Sequence, residues 1–353
     1  MKNFWSILAL AGTVLTFAAC SSDDDATTPD SGGQKGSQGV YVLCEGSMGN
    51  IDGSLDFISS DSTVTRNVFS SVNGRSLGDT PNDALIKGDN MYIATNNENR
   101  IEVISKKTAK SVAVVNVKAP RCLAADDDNL YISSYTGKVY KMSLSTNELT
   151  DSSEVVGTNL EGIAVRKGHV YVSNGWNNDY TYNTNVVKLQ AATLDKEKDI
   201  TVVTNPGALL NTSDGLYLLS VGDYYSVPGQ LQKIDDQDQV SKIGNYTMMA
   251  ADENGLYLVN APYGSPATYS YYSFATKTAV KWIDGTEIFN PYAIGVDSVS
   301  GKVYVTSLSK DENTGYASYV TDGYIVAYTT AGVKTGQWTV GVCPGVIVPL
   351  YSE

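Results

Sequence analysis

The chain has 353 residues, with 24 Tyr and 32 Gly, 18% charged residues and a formal net charge of −13. This negative charge argues against partners such as nucleic acid or anionic lipid headgroups. The one His, His169, lies in a turn before a predicted strand, so we expect no Ser-His-Asp set or Cys-His pair. These features favour a binding protein over an enzyme, and we expect no cofactor.

Residues 1–19 are predicted to be a signal peptide. Lys2 supplies the positive charge, and residues 4–19 form an apolar run too short for an ordinary membrane span. The sequence Phe17-Ala18-Ala19-Cys20 resembles a bacterial lipobox, which implies cleavage before Cys20 and lipidation of its side chain. The alternative is an ordinary secretory signal in which Cys20 is incidental.

Residues 20–38 read as a disordered tether, because Ser, Asp, Thr, Pro and Gly cannot bury a core. The serine and acidic run at residues 21–25 resembles the surface-export signal of some Gram-negative lipoproteins. That resemblance implies an outer-membrane protein, anchored through the lipid on Cys20 and facing the cell exterior. The alternative is a plain solvated linker.

A short apolar segment centred on a tyrosine recurs through residues 39–353, which we assign to one domain. Each copy is too short for a helix and rich in strand-forming residues, as in Leu130-Tyr131-Ile132-Ser133-Ser134. Intervals of 39 to 51 residues between copies are typical of a propeller or solenoid. The repeated tyrosines are Tyr41, Tyr92, Tyr131, Tyr171, Tyr217, Tyr257 and Tyr304.

A second segment, often opened by Pro, precedes most of these tyrosine strands, and two more extended runs follow. The sequence therefore predicts an all-β, seven-bladed β-propeller with four-stranded antiparallel blades. An irregular β-sandwich is the alternative. The last such segment, residues 344–350, has no tyrosine strand after it, and the first tyrosine strand has none before it. We expect the C-terminal strand to close the N-terminal blade.

Cys44 and Cys343 are predicted to lie side by side in this closing blade. An exported compartment permits a disulfide between them, and the alternative is that Cys44, Cys122 and Cys343 are buried thiols. No CxxC spacing is present, so a zinc site is not expected.

A binding site is predicted on the face where the innermost strands begin and the second strands end. Its side chains are aromatic, amide-bearing or charged, which suits a sizeable, partly planar, polar ligand or a partner protein. The alternative is that these residues only form turns. The candidate residues are Asn82, Asp83, Asn96, Asn97, Arg121, Tyr135, Glu161, Trp176, Asn177, Tyr224, Tyr225, Tyr263 and Tyr292.

The tyrosine strands and Pro-opened strands resemble YncE-like and surface-layer-type propellers, and with the lipobox the chain resembles a DUF5074-type lipoprotein. One group of these, the BtuG type, captures vitamin B12 and passes it to a TonB-dependent outer-membrane transporter. The resemblance implies capture of a small ligand, with a corrinoid such as cobalamin as the best candidate, for such a transporter.

Two other functions stay open as alternatives. One is an adhesin or scaffold that binds a protein or glycan, and the other is a metal-dependent lactonase or lyase. The metal alternative rests on Asp83 and Glu161, which could approach the axis with Asn82 and Asn205 and offer the oxygen ligands that Ca²⁺ prefers.

Overall fold

The computed structural model describes residues 36–352 as a ring of seven four-stranded antiparallel sheets, the blades of a β-propeller. Blade 1 contains β1 (Ser37–Cys44), β2 (Ser54–Ser59), β3 (Val64–Thr65) and, from the far end of the chain, β28 (Pro344–Tyr351). A short helix, α1 (Val68–Asn73), follows β3. The predicted fold is confirmed.

The other six blades each take four consecutive strands. Blade 2 has β4 (Pro81–Lys87), β5 (Asn90–Thr95), β6 (Arg100–Ser105) and β7 (Ser111–Asn116). Blade 3 has β8 (Pro120–Ala125), β9 (Asn129–Ser134), β10 (Val139–Ser143) and β11 (Leu149–Ser152). Blade 4 has β12 (Asn159–Arg166), β13 (His169–Trp176), β14 (Tyr182–Gln190) and β15 (Lys196–Thr201).

Blade 5 has β16 (Pro206–Asn211), β17 (Leu216–Ser220), β18 (Gln230–Ile234) and β19 (Val240–Gly244). Blade 6 has β20 (Met248–Ala251), β21 (Gly255–Asn260), β22 (Thr268–Ser273) and β23 (Ala279–Lys281). Blade 7 has β24 (Asn290–Asp297), β25 (Lys302–Leu308), β26 (Asp322–Thr329) and β27 (Lys334–Val342). Within residues 36–352 no helix is long and apolar enough to cross a membrane.

Four of the seven innermost strands open with proline, which is tolerated because this position needs no N–H donor to a partner strand. Pro81, Pro120, Pro206 and Pro344 are the first residues of β4, β8, β16 and β28. Innermost strands of neighbouring blades contact one another around the axis; β12, for example, contacts both β8 and β16. Their starting ends therefore meet in one ring, which we call the mouth of the propeller.

The ring is closed by hydrogen bonding between the two ends of the chain. Strand β28 pairs antiparallel with β1, from Ser37 opposite Tyr351 to Cys44 opposite Pro344. The predicted closure is confirmed, and β1 begins at Ser37, within the stretch that the sequence assigns to the tether. The predicted signal peptide, the lipidation of Cys20 and the tether up to residue 35 lie outside the described residues.

The repeated tyrosines form the core between blades, each at most 4% exposed. Four of their hydroxyls also reach the turn between the third and fourth strands of the next blade. Such a hydroxyl anchors its ring and supplies a hydrogen bond across the blade interface. The partners are Lys106 O for Tyr41 at 2.8 Å, Asn147 Oδ1 for Tyr92 at 3.2 Å, Ala191 O for Tyr131 at 3.1 Å and Asp238 Oδ1 for Tyr171 at 3.3 Å.

The predicted disulfide between Cys44 and Cys343 is wrong, because both side chains are free thiols. Cys44 ends β1 and Cys343 lies in the bend between β27 and β28, and their thiols have different partners. Sγ of Cys44 lies 3.9 Å from the carbonyl oxygen of Val42, and Sγ of Cys343 lies 3.8 Å from that of Tyr319. Closure of the ring is therefore held by backbone pairing and packing.

Candidate ligand-binding face

Four of the predicted residues converge at the mouth from two neighbouring blades. Arg121 and Glu161 lie at the starts of the innermost strands β8 and β12, while Trp176 ends the second strand β13. Tyr135 directly follows the second strand β9. Because the start of a first strand and the end of a second strand share one edge of an antiparallel sheet, these side chains meet.

Glu161 is the centre of this group, which we call the Glu161 cluster (Arg121, Tyr135, Glu161, Trp176). Its Oε2 accepts hydrogen bonds from Nε and Nη2 of Arg121 at 3.2 and 3.0 Å. Its Oε1 accepts from the Tyr135 hydroxyl at 2.6 Å and from Nε1 of Trp176 at 3.2 Å. The Arg121 guanidinium also lies 4.6 Å from the centre of the Tyr135 ring. The carboxylate therefore fixes a cation and two aromatic rings in one arrangement.

The Glu161 carboxylate stabilises the charge of Arg121 and the proton of the Tyr135 hydroxyl. Burial disfavours the charge of Arg121, but the Glu161 carboxylate outweighs this and raises the pKa of the guanidinium. Burial and the same carboxylate raise the pKa of the Tyr135 hydroxyl, which stays a hydrogen-bond donor. Arg121 thus stays charged and Tyr135 stays protonated across the physiological range.

Two groups of rings, Tyr135 with Trp176 and Tyr180, and Tyr182 with Tyr224, extend outward from this cluster and together form what we call the aromatic ridge. Tyr135 meets Trp176 edge-on, with ring centres 5.6 Å apart. Trp176 lies parallel to Tyr180 within 5°, at 6.0 Å, and its backbone is paired with that of Tyr182. Tyr182 then lies 6.2 Å from Tyr224. The ridge crosses blades 3, 4 and 5 and offers faces and edges for a flat ligand.

Two tyrosines of the ridge are held in a backbone conformation that bulky residues rarely adopt. Tyr180 has φ of 65° and Tyr224 has φ of 63°, and their relative exposures are 79% and 72%. Oδ1 of Asp179 accepts from the backbone N–H of Thr181 at 3.1 Å, which helps to fix the first turn. Backbone strain at a residue that presents an exposed ring is characteristic of functional loops.

Asp223 fixes the second turn. Its Oδ1 accepts three backbone N–H groups, from Tyr225, Ser226 and Val227, at 2.9, 2.8 and 2.7 Å. Tyr224 is thereby presented on a preorganised loop, so a ligand that contacts it need not order the backbone first.

On blades 1 and 7, Tyr292 and Glu45 form a second polar group. The Tyr292 hydroxyl donates to Oε2 of Glu45 at 3.1 Å. Burial raises the pKa of Glu45, partly offset by this hydrogen bond and by the positive charge of Arg121. Sequence analysis selects Tyr292 but not Glu45, although Glu45 directly follows a tyrosine strand at the predicted face.

Polar groups of Asp83 and Asn82 are enclosed by the protein. Oδ2 of Asp83 accepts the backbone N–H of Leu123 at 2.8 Å and so links blade 2 to blade 3. Burial raises the pKa of Asp83 to about 6. Oδ1 of Asn82 is shielded from water and has no hydrogen-bond partner within residues 36–352.

The other three candidate asparagines organise loops. Nδ2 of Asn96 donates to the carbonyl oxygen of Pro120 at 2.9 Å, and Nδ2 of Asn97 donates to Asp79 at 2.8 Å. Asn177 exchanges side-chain hydrogen bonds with Asn183 at 3.0 and 3.1 Å. These amides support the face and have few donors left for a ligand.

Tyr225 and Tyr263 stand apart from the Glu161 cluster. Their relative exposures are 95% and 101%, and neither forms a ring contact within the described part of the chain. They lie on loops after the second strands of blades 5 and 6, at the rim of the same face.

The residues suggested for a metal site do not come together as ligands. Asp83 is engaged by backbone N–H groups, and Glu161 by Arg121, Tyr135 and Trp176. Across residues 36–352 no group of three or more His, Cys, Asp or Glu side chains is arranged to hold a metal ion.

Comparison with known families gives a match over half of the chain. The family described as "Domain of unknown function (DUF5074)" matches residues 38–215, from the first strand of blade 1 into blade 5. No curated protein sequence matches the chain.

Solved structures share the propeller fold. A quinonprotein alcohol dehydrogenase-like protein from Bacteroides thetaiotaomicron has a TM-score of 0.66 at 14% identity, covering 89% of this chain and 79% of that one. A hypothetical selenium-binding protein from Sulfolobus tokodaii has 0.63 at 11% identity, covering 88% and 93%. Hydrazine synthase from Kuenenia stuttgartiensis has 0.54 at 13% identity, covering 70% and 76%. The neighbours include enzyme-like propellers, and at these identities the similarity shows the fold alone.

Proposed function

Because this chain belongs to the DUF5074 family and its propeller carries a preorganised aromatic face, we propose that it captures a small, partly planar, polar ligand there. Fold and family together indicate a propeller that binds a ligand or a protein. The observation that carries the finer proposal is the aromatic ridge, which runs from the hydrogen-bonded Glu161 cluster to tyrosines on fixed loops.

The ligand class we propose is a corrinoid, such as cobalamin. A corrin is a broad, roughly flat ring whose edge carries several amide side chains. Its flat surfaces suit the rings of Trp176, Tyr180 and Tyr224, and its amides suit the polar groups at the mouth. The similarity of the sequence to BtuG-type lipoproteins supports the same class.

We place this capture at the cell surface as a binding step without catalysis. In this proposal Cys20 is lipidated, the protein faces outward on the outer membrane, and the ligand passes to a TonB-dependent transporter. More than one acyl chain on one residue gives stable anchoring. The argument for binding is that Asp83 and Glu161, the carboxylates suggested as metal ligands, are occupied in holding other groups.

Calorimetry with cobalamin and its precursor cobinamide tests the proposal. Residues 36–353 include both strands that close the ring and are the fragment to use. We expect both corrinoids to bind, and Trp176→Ala or Tyr224→Ala to weaken binding at least about tenfold. Val112→Ala, on the exposed outer strand β7, is the matched control and is expected to bind like wild type.

Unchanged affinity in both aromatic variants contradicts the proposed face. Absence of corrinoid binding in the wild type contradicts the ligand class.

A protein or glycan partner is the second candidate, favoured by Tyr225 and Tyr263, which stand exposed without ring partners at the rim. That candidate predicts that the protein is retained on a surface carrying the partner and that Tyr263→Ala abolishes this retention. It also predicts that the protein has no affinity for small molecules.

A further inference from the structure

One carboxylate at the mouth, that of Glu45, is only half used by the protein itself. Oε2 of Glu45 accepts the Tyr292 hydroxyl at 3.1 Å, whereas Oε1 accepts no hydrogen bond within residues 36–352. In the same part of the chain Glu45 forms no ion pair. Glu161 is the opposite case, since both of its oxygens accept hydrogen bonds, from Arg121, Tyr135 and Trp176.

The position of this carboxylate is prepared by its surroundings. Gly345, the second residue of β28, lies under Glu45, and a Cβ at that position would collide with Oε1 of Glu45. The backbone N–H groups of Glu45 and Gly46 donate to the carbonyl oxygens of Cys343 and Val342 at 2.9 and 3.0 Å. The end of β27, the bend at Cys343 and the start of β28 therefore hold Glu45 in place where the ring closes.

A partly buried carboxylate without a cationic partner is unfavourable in the free protein. Desolvated charges in proteins are normally paired or fully hydrogen-bonded, because water no longer stabilises them. The guanidinium of Arg121 is close enough to favour the charged form of Glu45, but its hydrogen bonds go to Glu161. The open oxygen of Glu45 is thus an acceptor for a group from outside.

We infer that Glu45 and Tyr292 form the polar subsite of this face, which takes an N–H donor of the ligand, an amide or ammonium, and rejects a carboxylate. This inference rests on the proposed function, because it assumes that a ligand occupies the mouth. The aromatic ridge supplies contact with the flat part of the ligand, and Glu45 determines which polar substituent is accepted.

The test compares cyanocobalamin with its monocarboxylic acids, in which one amide has become a carboxylate. Wild type is expected to bind at least one of these acids about tenfold or more weakly than cyanocobalamin, because that carboxylate faces Glu45. Glu45→Gln is expected to remove the penalty while keeping affinity for cyanocobalamin. Glu312→Gln, an exposed carboxylate on the blade 7 loop of the same face, is the control and should keep the penalty.

Equal affinity of wild type for cyanocobalamin and all of the acids overturns the inference. So does a penalty that survives Glu45→Gln in a protein with the melting temperature of wild type.

Failure of cyanocobalamin to bind removes the corrinoid proposal but leaves the subsite testable with two planar xanthene dyes. We then expect wild type to prefer cationic rhodamine 6G over anionic fluorescein, and Glu45→Gln to lose that preference. Absence of the preference, or of any dye binding, overturns the inference.

Discussion

At the scale of single residues, the same side-chain type has different tasks around the mouth. The oxygens of Glu161 accept hydrogen bonds from three side chains, so Glu161 acts as a scaffold. Asp83 accepts hydrogen bonds from backbone N–H groups, whereas one oxygen of Glu45 accepts none within residues 36–352. Sequence position alone predicts that Glu161 and Asp83 lie near the axis. It does not predict their roles, because these depend on partners from neighbouring blades such as Arg121 and Leu123.

Asp83 makes stability depend on pH. Burial raises its pKa from 3.8 to about 6 in the folded protein, so the folded state binds this proton more tightly than the unfolded chain. The resulting stabilisation is complete below pH 3.8 and is lost as the pH rises through about 6.

Urea unfolding of wild type and Asp83→Asn between pH 4 and 7 measures this effect. The stability of wild type relative to the variant should fall by on the order of 2 kcal/mol across that range. Asn can accept only one of the two backbone N–H groups, from Ala84 and Leu123, that Asp83 accepts, but this loss does not depend on pH. The change of the stability difference with pH therefore isolates ionisation. A difference between the two proteins that does not change with pH contradicts the assignment.

At the scale of elements, the repeated tyrosine strand explains why the fold was predictable. Each copy carries both the strand-forming residues and the ring that packs between blades, so pattern and packing agree. The hydroxyl contacts were not predictable, since they join the second strand of one blade to a turn of the next. Tyr131 illustrates this, with its hydroxyl 2.8 Å from Asp126 Oδ2 and 3.1 Å from Ala191 O.

Tyr131→Phe tests the contribution of that hydroxyl. Its loss removes the hydroxyl contacts to Asp126 within blade 3 and to Ala191 O in blade 4, and we expect a cost of about 1 to 2 kcal/mol. Tyr304→Phe is the matched control, because the Tyr304 hydroxyl has no hydrogen bond within residues 36–352, and should change stability by less than about 0.5 kcal/mol. Equal losses in the two variants, measured by urea unfolding, would show that the inter-blade hydroxyl bond contributes nothing specific.

At the scale of the whole molecule, closure and binding are connected through blade 1. The C-terminal strand pairs with β1, and the same strand places Gly345 beneath Glu45 and ends beside the N-terminal residues of the ring. Sequence analysis predicts this closure from an unpaired strand at each end. It wrongly predicts a disulfide there, because the sequence does not reveal that Cys343 lies in a bend before β28, with φ of 52°, and outside the strand itself.

Hydrogen–deuterium exchange of residues 36–353 with and without cyanocobalamin tests the central claim most directly. Ligand at the mouth should slow exchange in the loops at residues 176–181 and 221–229, where Tyr180 and Tyr224 are presented, and leave the outer strand β7 unchanged. Protection confined to outer strands or to the opposite face, with these two loops unaffected, would contradict the claim that the aromatic ridge is the binding surface.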